Sequence, residues 1–312
     1  GYLSQETRER VAEAIAQLNY RPNQIARALH GKSTHSIGLI VPTVALPFFG
    51  ELTEHVEDFL ADHGYRTLVC NSMGKADRER EYLDLLVSHR VDGIISSAHN
   101  DGLADYSSIH LPVVSVDRDL SPTVPNVRCD NEAGGRLAAE HLLKRGARRP
   151  ALLTSRTGIH NLREKGYRQV LQQAGIEPVV LTVDFNTPNA ERPDLIRERL
   201  DLVADDIDAV FATDDLAAAQ VVEWAAERDL RIPDDFKVVG FDGTIAMQHA
   251  LPSLTTIQQP IAKLARAAAD LLLNRIESMA SVASSEDHSG QPRTKLRVPS
   301  PMEVRLLSGH TS

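Results

Sequence analysis

The sequence predicts an α/β protein made of two doubly wound parallel-sheet units, preceded by a small helical head. From Ser36 onward, short apolar runs alternate with amphipathic stretches, which is the pattern of a parallel sheet covered by helices. This alternation occurs twice, and the second series begins near residue 130. Residues 1–35 follow a purely helical pattern. The 312 residues also amount to about two domains of ordinary size.

The composition is that of an ordinary globular protein. With 42% hydrophobic and 25% charged residues, a largely disordered chain is excluded. No apolar run approaches the ~18 residues of a membrane span, and the polar first residues lack a signal-peptide pattern. Cys70 and Cys129 are too few for a disulfide framework and too isolated for zinc. We therefore expect a cytoplasmic protein with no membrane partner, no metal and no cofactor.

The charge is distributed unevenly along the chain. Residues 1–35 hold five basic and three acidic residues, whereas the remainder holds 29 basic and 40 acidic residues. A basic head on an acidic body suggests that only the head meets a polyanion such as DNA. Chance in so short a window is the alternative, and charge alone does not decide between them.

The head is predicted to contain two helices. Ser4 is a candidate N-cap, and Val11, Ile15 and Leu18 then recur at helical spacing. Pro22 ends this first helix because it restrains the preceding residue away from helical geometry.

The second helix of the head, residues 24–30, is unusually short. Asn23 can cap it and Gly31 can end it. Seven residues fall far below the ~12–15 that an isolated helix needs for even marginal stability. We therefore expect this helix to form only against a partner, or to be frayed without one.

The two α/β series that follow are defined by their apolar runs. The first series consists of strands 37–41, 67–70, 93–96 and 113–116, with helices marked by Leu52, Val56, Phe59 and Leu60 and by Leu83, Leu86 and Val87. The second consists of strands 151–153, 179–183, 209–212 and 237–240, with helices 132–144, 161–174, 195–203 and 216–228. A long helix over 261–279, a polar surface loop over 281–292 and strand material at 296–298 and 303–305 complete the prediction.

Motifs for catalysis are absent from the sequence. There is no phosphate-binding loop, no G-x-G-x-x-G after the first strand, no nucleophile elbow and no metal-ligand spacing. The 12 histidines lie mostly in polar surroundings, so His35, His63, His89 and His99 are predicted to be solvated surface residues. We therefore predict no catalytic residue and no enzyme.

Six segments, taken in order, resemble the lac repressor family of bacterial transcription regulators. They are the head (Ser4–Val11, Leu18–Asn23 and Ala26–Leu29), Ile37–Pro42 with Pro47-Phe48-Phe49, Arg163–Tyr167, Thr213-Asp214-Asp215, Val238–Asp242 and Leu254–Pro260. Each segment is weak alone, but their order and spacing make the resemblance specific. It extends from residue 1 to about residue 306.

For the head, the resemblance implies the last helix of a DNA-binding headpiece followed by a hinge helix. Hinge residues Asn23, Ala26, Arg27 and Leu29 would enter the minor groove of operator DNA beside a partner's copy, with Leu29 as the apolar wedge. The alternative is an ordinary capping hairpin with Leu29 in a core. The helices that read the major groove in this family are not in this sequence, so we expect a fragment without sequence-specific readout of its own.

For the rest of the chain, the resemblance implies a core similar to periplasmic sugar-binding proteins. Residues 36–130 with 260–292 would form the N-terminal core subdomain, and residues 131–259 with 293–308 the C-terminal one. An effector would bind in the cleft between them, at the carboxyl ends of the strands. The residues carried over as effector-binding are Phe48, Phe49, Asp117, Arg163, Phe185, Asp214, Asp242 and Gln259.

These side chains suit a polyol, because carboxylates accept from hydroxyls, a guanidinium donates and an aromatic face covers C–H groups. Each role has an alternative: Asp117 as a solvated loop charge, Arg163 in an interdomain ion pair, Asp242 as a turn cap, and the phenylalanines in a core.

The sequence also departs from the family pattern at three positions. Asp214 and Leu46 stand where the family more often has Asn, and Gly243 where a second Asp is usual. These departures limit any transfer of effector identity. The groups that purine-sensing members use near Thr157 and Ile159 are not reproduced either, so we expect a sugar or a nucleoside.

The function predicted from these features is a ligand-responsive regulator, a repressor that binds a palindromic operator as a homodimer. The alternatives are a solute-binding protein without a DNA-binding role, a sugar-metabolising enzyme, and a regulator with a protein co-effector. A solute-binding protein would have no use for the basic head, and turnover of a bound ligand would reveal an enzyme.

Overall fold

The computed structural model describes residues 4–17, 33–100, 105–284 and 298–312. Helix α1, Gln5–Gln17, lies in the described part of the head, residues 4–17 and 33–35. The Oγ of Ser4 accepts from the backbone N–H of Thr7 at 3.3 Å, which confirms the predicted N-cap. The predicted short helix and its hinge residues Asn23, Ala26, Arg27 and Leu29 lie outside the described residues.

The first lobe, as named here, is a five-stranded parallel sheet with the helices that pack on it. Its strands stand in the order β2-β1-β3-β4-β5. The elements are β1 Ser36–Val41, α2 Pro47–Asp62, β2 Arg66–Asn71, α3 Ala76–Ser88, β3 Gly93–Ser96, α4 Asp105–Ser108, β4 Val113–Val116, β5 Asn126–Val127 and, much later in the chain, α10 Ile261–Ser284.

The second lobe is a six-stranded sheet in the order β11-β10-β9-β8-β6-β7, parallel except for β11. Its elements are α5 Asn131–Lys144, β6 Pro150–Thr154, α6 Leu162–Gln173, β7 Val179–Thr182, α7 Arg192–Asp201, β8 Ala209–Ala212, α8 Asp215–Glu227, β9 Lys237–Asp242, α9 Ile245–Ala250, β10 Thr255–Gln258 and β11 Arg305–Leu307. The predicted α/β class with two parallel sheets is confirmed.

The full burial of several strands is typical of a parallel sheet with helices on both faces. Strands β3, β4, β6 and β8 are buried along their whole length, because helices cover both faces of each sheet. Helix α10 packs against α2 and the first sheet, although it follows the second series in sequence. Taken in order, the described elements therefore pass from one lobe to the other three times.

Several predicted bounds needed correction. The predicted polar loop at 281–292 begins as helix, because α10 continues to Ser284; residues 281–284 contain no glycine or proline that would end it. At the C-terminal side, the strand is Arg305–Leu307 and Val298 is not in a strand. Strands β5 and β10 were not predicted from periodicity, since runs of two and four residues carry little signal.

Helices α5 and α6 approach closely enough for backbone contact. A Cβ added to Gly166 would lie 2.0 Å from the carbonyl oxygen of Glu132, and one added to Gly135 would lie 2.0 Å from that of Arg163. Tyr167, the next residue of α6, is fully buried against Phe211. The Arg163–Tyr167 segment therefore combines a cleft residue, a close helix crossing and a core aromatic.

Candidate functional site: the cleft between the lobes

A cavity of about 900 Å³ lies at the carboxyl ends of the strands of both sheets. Its walls come from loops after β1, β3 and β4 in the first lobe and after β6, β7, β8 and β9 in the second. Seven of the eight predicted effector-binding residues line it: Phe48, Phe49, Asp117, Arg163, Phe185, Asp214 and Asp242. Ligands of open α/β sheets bind at this edge.

The guanidinium of Arg163 stands at the inner end of the cavity. Its Nε donates to Asn131 Oδ1 at 2.7 Å, and its Nη1 donates to the carbonyl oxygen of Thr213 at 2.6 Å. The ring of Phe241 lies beneath it, 3.7 Å from Cζ to the ring centroid, a cation–π contact. Arg163 is thus held on three sides, and its remaining N–H groups face carboxylates and the cavity.

Two carboxylates from different lobes flank this guanidinium. Asp117, after β4, and Asp242, at the end of β9, each lie 3.8 Å from Arg163. Both take positive φ angles, 69° and 109°, a conformation that is rare outside glycine and concentrates at functional sites. Asp117 is largely buried, so it is not a solvated loop charge. Arg163 makes an ion pair between the lobes and also lines the cavity.

The two carboxyl groups differ electrostatically. Burial would raise the pKa of Asp117, but the charges of Arg163 and Arg118 outweigh it and hold this pKa below its usual value. At Asp242, burial prevails over the opposing charge of Arg163 and raises the pKa well above the usual value. The inner wall therefore offers one firmly ionised carboxylate and one carboxyl group that holds a proton more readily.

Gln259 does not line the cavity among the described residues, so its predicted direct contact is corrected. The side chain is 3% exposed, and its Nε2 donates to Asp242 Oδ1 at 2.8 Å. Asp242 stands between the amide and the cavity, because the parallel pairing of β9 with β10 places Gln258 opposite Asp242 and Gln259 just beyond it. Gln259 therefore positions Asp242.

Asp214 has two structural partners in addition to its place on the cavity wall. Its Oδ1 accepts from the N–H of Ala217 at 2.7 Å and so caps α8, while its Oδ2 accepts from Arg192 at 2.7 Å. An asparagine could keep the cap but not the ion pair. This departure from the family pattern thus brings a second guanidinium, that of Arg192, to the wall.

One part of the cavity wall is aromatic. Phe48 and Phe49, at the start of α2, pack edge to face with centroids 5.1 Å apart, and Phe185 of the second lobe lies 6.2 Å from Phe49. His99 stacks on Phe185 at 4.2 Å. The prediction of a solvated His99 is wrong, because its position after the buried strand β3 brings it into the cleft.

Sequence analysis did not identify several wall residues. Besides His99, they include Asn131, which orients Arg163, and Arg192, which pairs with Asp214. They also include Asp215, which accepts hydrogen bonds from the N–H of Gly243 and from Thr256 Oγ1. Burial raises the pKa of Asp215 to about 7. The only signal for them was position next to a strand end or a recognised motif.

Cys70 and Cys129 are buried free thiols. Within residues 4–17, 33–100, 105–284 and 298–312, no group of His, Cys, Asp and Glu side chains is arranged to hold a metal ion. In the same ranges no helix has the length and apolar character to cross a membrane.

Comparison with known proteins gives concordant matches. The model of a periplasmic binding protein-like domain matches residues 139–303. A sucrose operon repressor of Streptococcus mutans is 36% identical and covers 100% of this chain and 92% of its own length. A ribose operon repressor of Halalkalibacterium halodurans is 36% identical over 89% of this chain and 83% of its own length.

Among solved structures, a periplasmic binding protein/LacI transcriptional regulator of Alkaliphilus metalliredigens, complexed with D-xylulofuranose, superimposes with a TM-score of 0.74. It is 28% identical and covers 89% of this chain and 99% of its own.

The two lobes and the cleft between them define a binding protein of the periplasmic type, in which a ligand is held between two parallel sheets. The sequence relatives specify its role more closely. The chain belongs to the lac repressor family of transcriptional regulators. This membership confirms the predicted regulator class over the solute-binding and enzyme alternatives.

Proposed function

We propose that this protein is a transcriptional repressor whose DNA affinity changes when a small sugar-like effector binds the cleft. The observation that carries the proposal is the guanidinium of Arg163 between two carboxylates of different lobes, on a cavity that three phenylalanines also line. The relatives named for sucrose and ribose operons and the neighbour holding D-xylulofuranose support a polyol over a purine.

The chemistry of the walls matches a polyhydroxylated ring. Ionised Asp117 can accept hydrogen bonds from two neighbouring hydroxyl groups, and Arg163 and Arg192 can donate to hydroxyl or ring oxygens. Phe48, Phe49 and Phe185 can cover the C–H faces of the ring. The proposed effector contacts are Phe48, Phe49, Asp117, Arg163, Phe185, Asp214 and Asp242, with Gln259 acting through Asp242.

Effector binding would act on DNA through the relative orientation of the lobes. We assign residues 36–130 with 260–292 and 131–259 with 293–308 to the two core subdomains, and the head, residues 1–35, to operator contact. Hinge residues Asn23, Ala26, Arg27 and Leu29 would contact the minor groove from each subunit of a homodimer, which matches a two-fold operator. A rotation that separates the two hinges would weaken binding.

The surface proposed for the homodimer is the edge of the first lobe. Strand β2 is an edge strand with Leu68 and Val69 at 40% and 45% exposure, and the following helix α3 exposes Leu85 and Val87. An exposed apolar edge strand is a template for association. A second copy of this face would cover both elements in an isologous contact.

The test is a thermal-shift and calorimetric screen of the chain with D-ribose, D-fructose, D-xylulose, sucrose, sugar phosphates and nucleosides. A ligand at ~100 times its Kd should add about 2.7 kcal/mol to the free energy of unfolding. We expect a shift with one sugar class that is lost in Arg163→Ala.

The matched control is Arg168→Ala, five residues later on α6, where the arginine pairs with Glu164 and does not line the cavity; this variant should keep the shift. A shift that survives Arg163→Ala would remove Arg163 from the site. No shift with any compound would refute the small-molecule effector and favour the protein co-effector.

A further inference from the structure

The aromatic wall contains one side chain that can also form hydrogen bonds, and it is His99. The residue follows β3 in the first lobe, and its ring stacks on Phe185 of the second lobe with an interplanar angle of 19° and a centroid separation of 4.2 Å. The ring of Phe49 packs nearly perpendicular to it, with the two ring centroids 5.4 Å apart. His99 therefore joins the aromatic side chains of both lobes.

The hydrogen bond of the ring determines which nitrogen carries the proton. His99 Nδ1 lies 3.2 Å from the carbonyl oxygen of Ser97. A carbonyl oxygen can only accept, so Nδ1 carries the hydrogen and Nε2 holds a lone pair. Within the described residues, Nε2 has no hydrogen-bond partner, and His99 is part of the cavity wall.

The surroundings keep the imidazole neutral. Burial and, after it, the charge of Arg118 lower the pKa of His99 to about 3, with a smaller contribution from Arg156. Asp117 acts in the opposite direction but does not prevail. At neutral pH the ring is a hydrogen-bond acceptor packed against the phenylalanines of this wall.

We infer that His99 is a specificity-determining residue whose Nε2 accepts a hydrogen bond from an effector hydroxyl group while its ring remains stacked on Phe185. This inference rests on the proposed function, because it concerns the same cleft. Phenylalanine at this position could cover C–H groups equally well. The acceptor on this wall therefore selects a ring with a hydroxyl group at its edge over the corresponding deoxy compound.

The primary test compares His99→Phe with the unmodified chain by calorimetry, using whichever of D-ribose, D-fructose and sucrose binds, together with a deoxy analogue of that sugar. His99→Phe keeps the aromatic stack and removes the acceptor. We expect about tenfold weaker binding of the sugar, the typical effect of one lost hydrogen bond, and little change for the analogue that lacks the contacting hydroxyl. Equal affinity of His99→Phe and the unmodified chain for every sugar that binds would overturn the inference.

The control is His89→Phe on the same lobe, at an exposed histidine whose Nδ1 lies 2.8 Å from the carbonyl oxygen of Leu85. This variant should bind all three sugars as the unmodified chain does. If the unmodified chain binds no sugar at all, the proposed function fails rather than the role of His99.

A second measurement follows His99 directly. In ¹⁵N-labelled protein, the imidazole signals missing from His99→Phe identify the residue. We expect them to show a protonated Nδ1 and a bare Nε2 between pH 5.5 and 8, and the Nε2 signal to move upfield when the binding sugar is added, because an accepted hydrogen bond shields that nitrogen. A protonated Nε2, or an Nε2 signal that does not move at saturation, would overturn the inference.

Discussion

Asp214 shows how a single residue can serve the fold and the cleft together. One carboxylate oxygen caps α8, and the other pairs with Arg192, whose side chain is 13% exposed. The pair is shielded enough to exceed the small contribution of surface ion pairs. It also fixes the direction in which Arg192 presents its remaining donors to the cavity.

We therefore expect Asp214→Asn to lower the free energy of unfolding by about 1 kcal/mol, since the cap survives and the ion pair does not. Asp214→Ala should cost about 1 kcal/mol more, because the cap is lost as well. Urea unfolding of both variants, with Arg192→Gln to complete a double-mutant cycle with Asp214→Asn, measures the coupling. A coupling energy near zero would show that the pair adds no stability.

Asp215 should make stability depend on pH. Its pKa is about 7 in the folded protein against 3.8 for the free side chain. The folded state therefore keeps a proton that the unfolded chain releases, so this group lowers stability as the pH rises from about 4 to about 7.

In Asp215→Asn this contribution is absent. We expect the unfolding free energy of the variant, minus that of the unmodified chain, to increase by about 1 kcal/mol per pH unit from pH 5 to 7 and then to level off. Urea titrations at four pH values would measure this. A difference that does not change with pH would contradict the assignment.

At the scale of elements, the crossing of α5 and α6 determines where the central guanidinium lies. Arg163 and Gly166 are on the same helix, and Gly166 meets the backbone of α5 where a Cβ would not fit. Asn131, the first residue of α5, holds the guanidinium. The spacing of the two helices therefore determines how closely the Asn131 amide approaches the guanidinium of Arg163.

Gly166→Ala should push the two helices apart and destabilise the protein by about 1–3 kcal/mol, with weaker effector binding in the remaining folded protein. Gly50→Ala is the matched control within α2, because the nearest atom to its added Cβ, the carbonyl oxygen of Val44, is at 3.5 Å. That substitution should be neutral or stabilising by up to about 1 kcal/mol. Thermal unfolding of both variants measures the contrast, and equal effects would refute the close-packing argument.

Elements long enough to show a hydrophobic periodicity could be predicted from the sequence, whereas the short elements between them could not. Long helices such as α8 and buried strands such as β6 were located within a few residues. The two-residue strand β5 and the six-residue helix α9 were not, because such short pieces depend on tertiary contacts. Among the residues that line the cavity, Arg163 was singled out from its motif, whereas Asn131 and His99 were not. The contact of Asn131 depends on the crossing of α5 with α6, and that of His99 on the meeting of the two lobes.

At the scale of the whole molecule, the proposed dimer surface predicts a concentration-dependent oligomer. Leu68→Arg places a charge at the exposed centre of edge strand β2 and should shift the chain from dimer to monomer. We expect at least a tenfold increase in the dissociation constant by sedimentation equilibrium, because a buried unpaired charge costs several kcal/mol. The control is Leu202→Arg, at a residue 69% exposed in the second lobe. An unchanged Leu68→Arg dimer would place the interface elsewhere.

The three chain crossings between the lobes lie against one another at one side of the cleft. Cys129 bridges to Met302, and Gln258 pairs with Arg305 just before the crossing into α10. Three adjacent connections favour a hinge motion of the two lobes over a sliding motion. Asn131, which holds Arg163, and Gln259, which holds Asp242, lie next to these connections in the chain. We therefore expect the contacts of Arg163 with Asn131 and of Asp242 with Gln259 to change less than the outer walls of the cleft when the lobes move relative to each other.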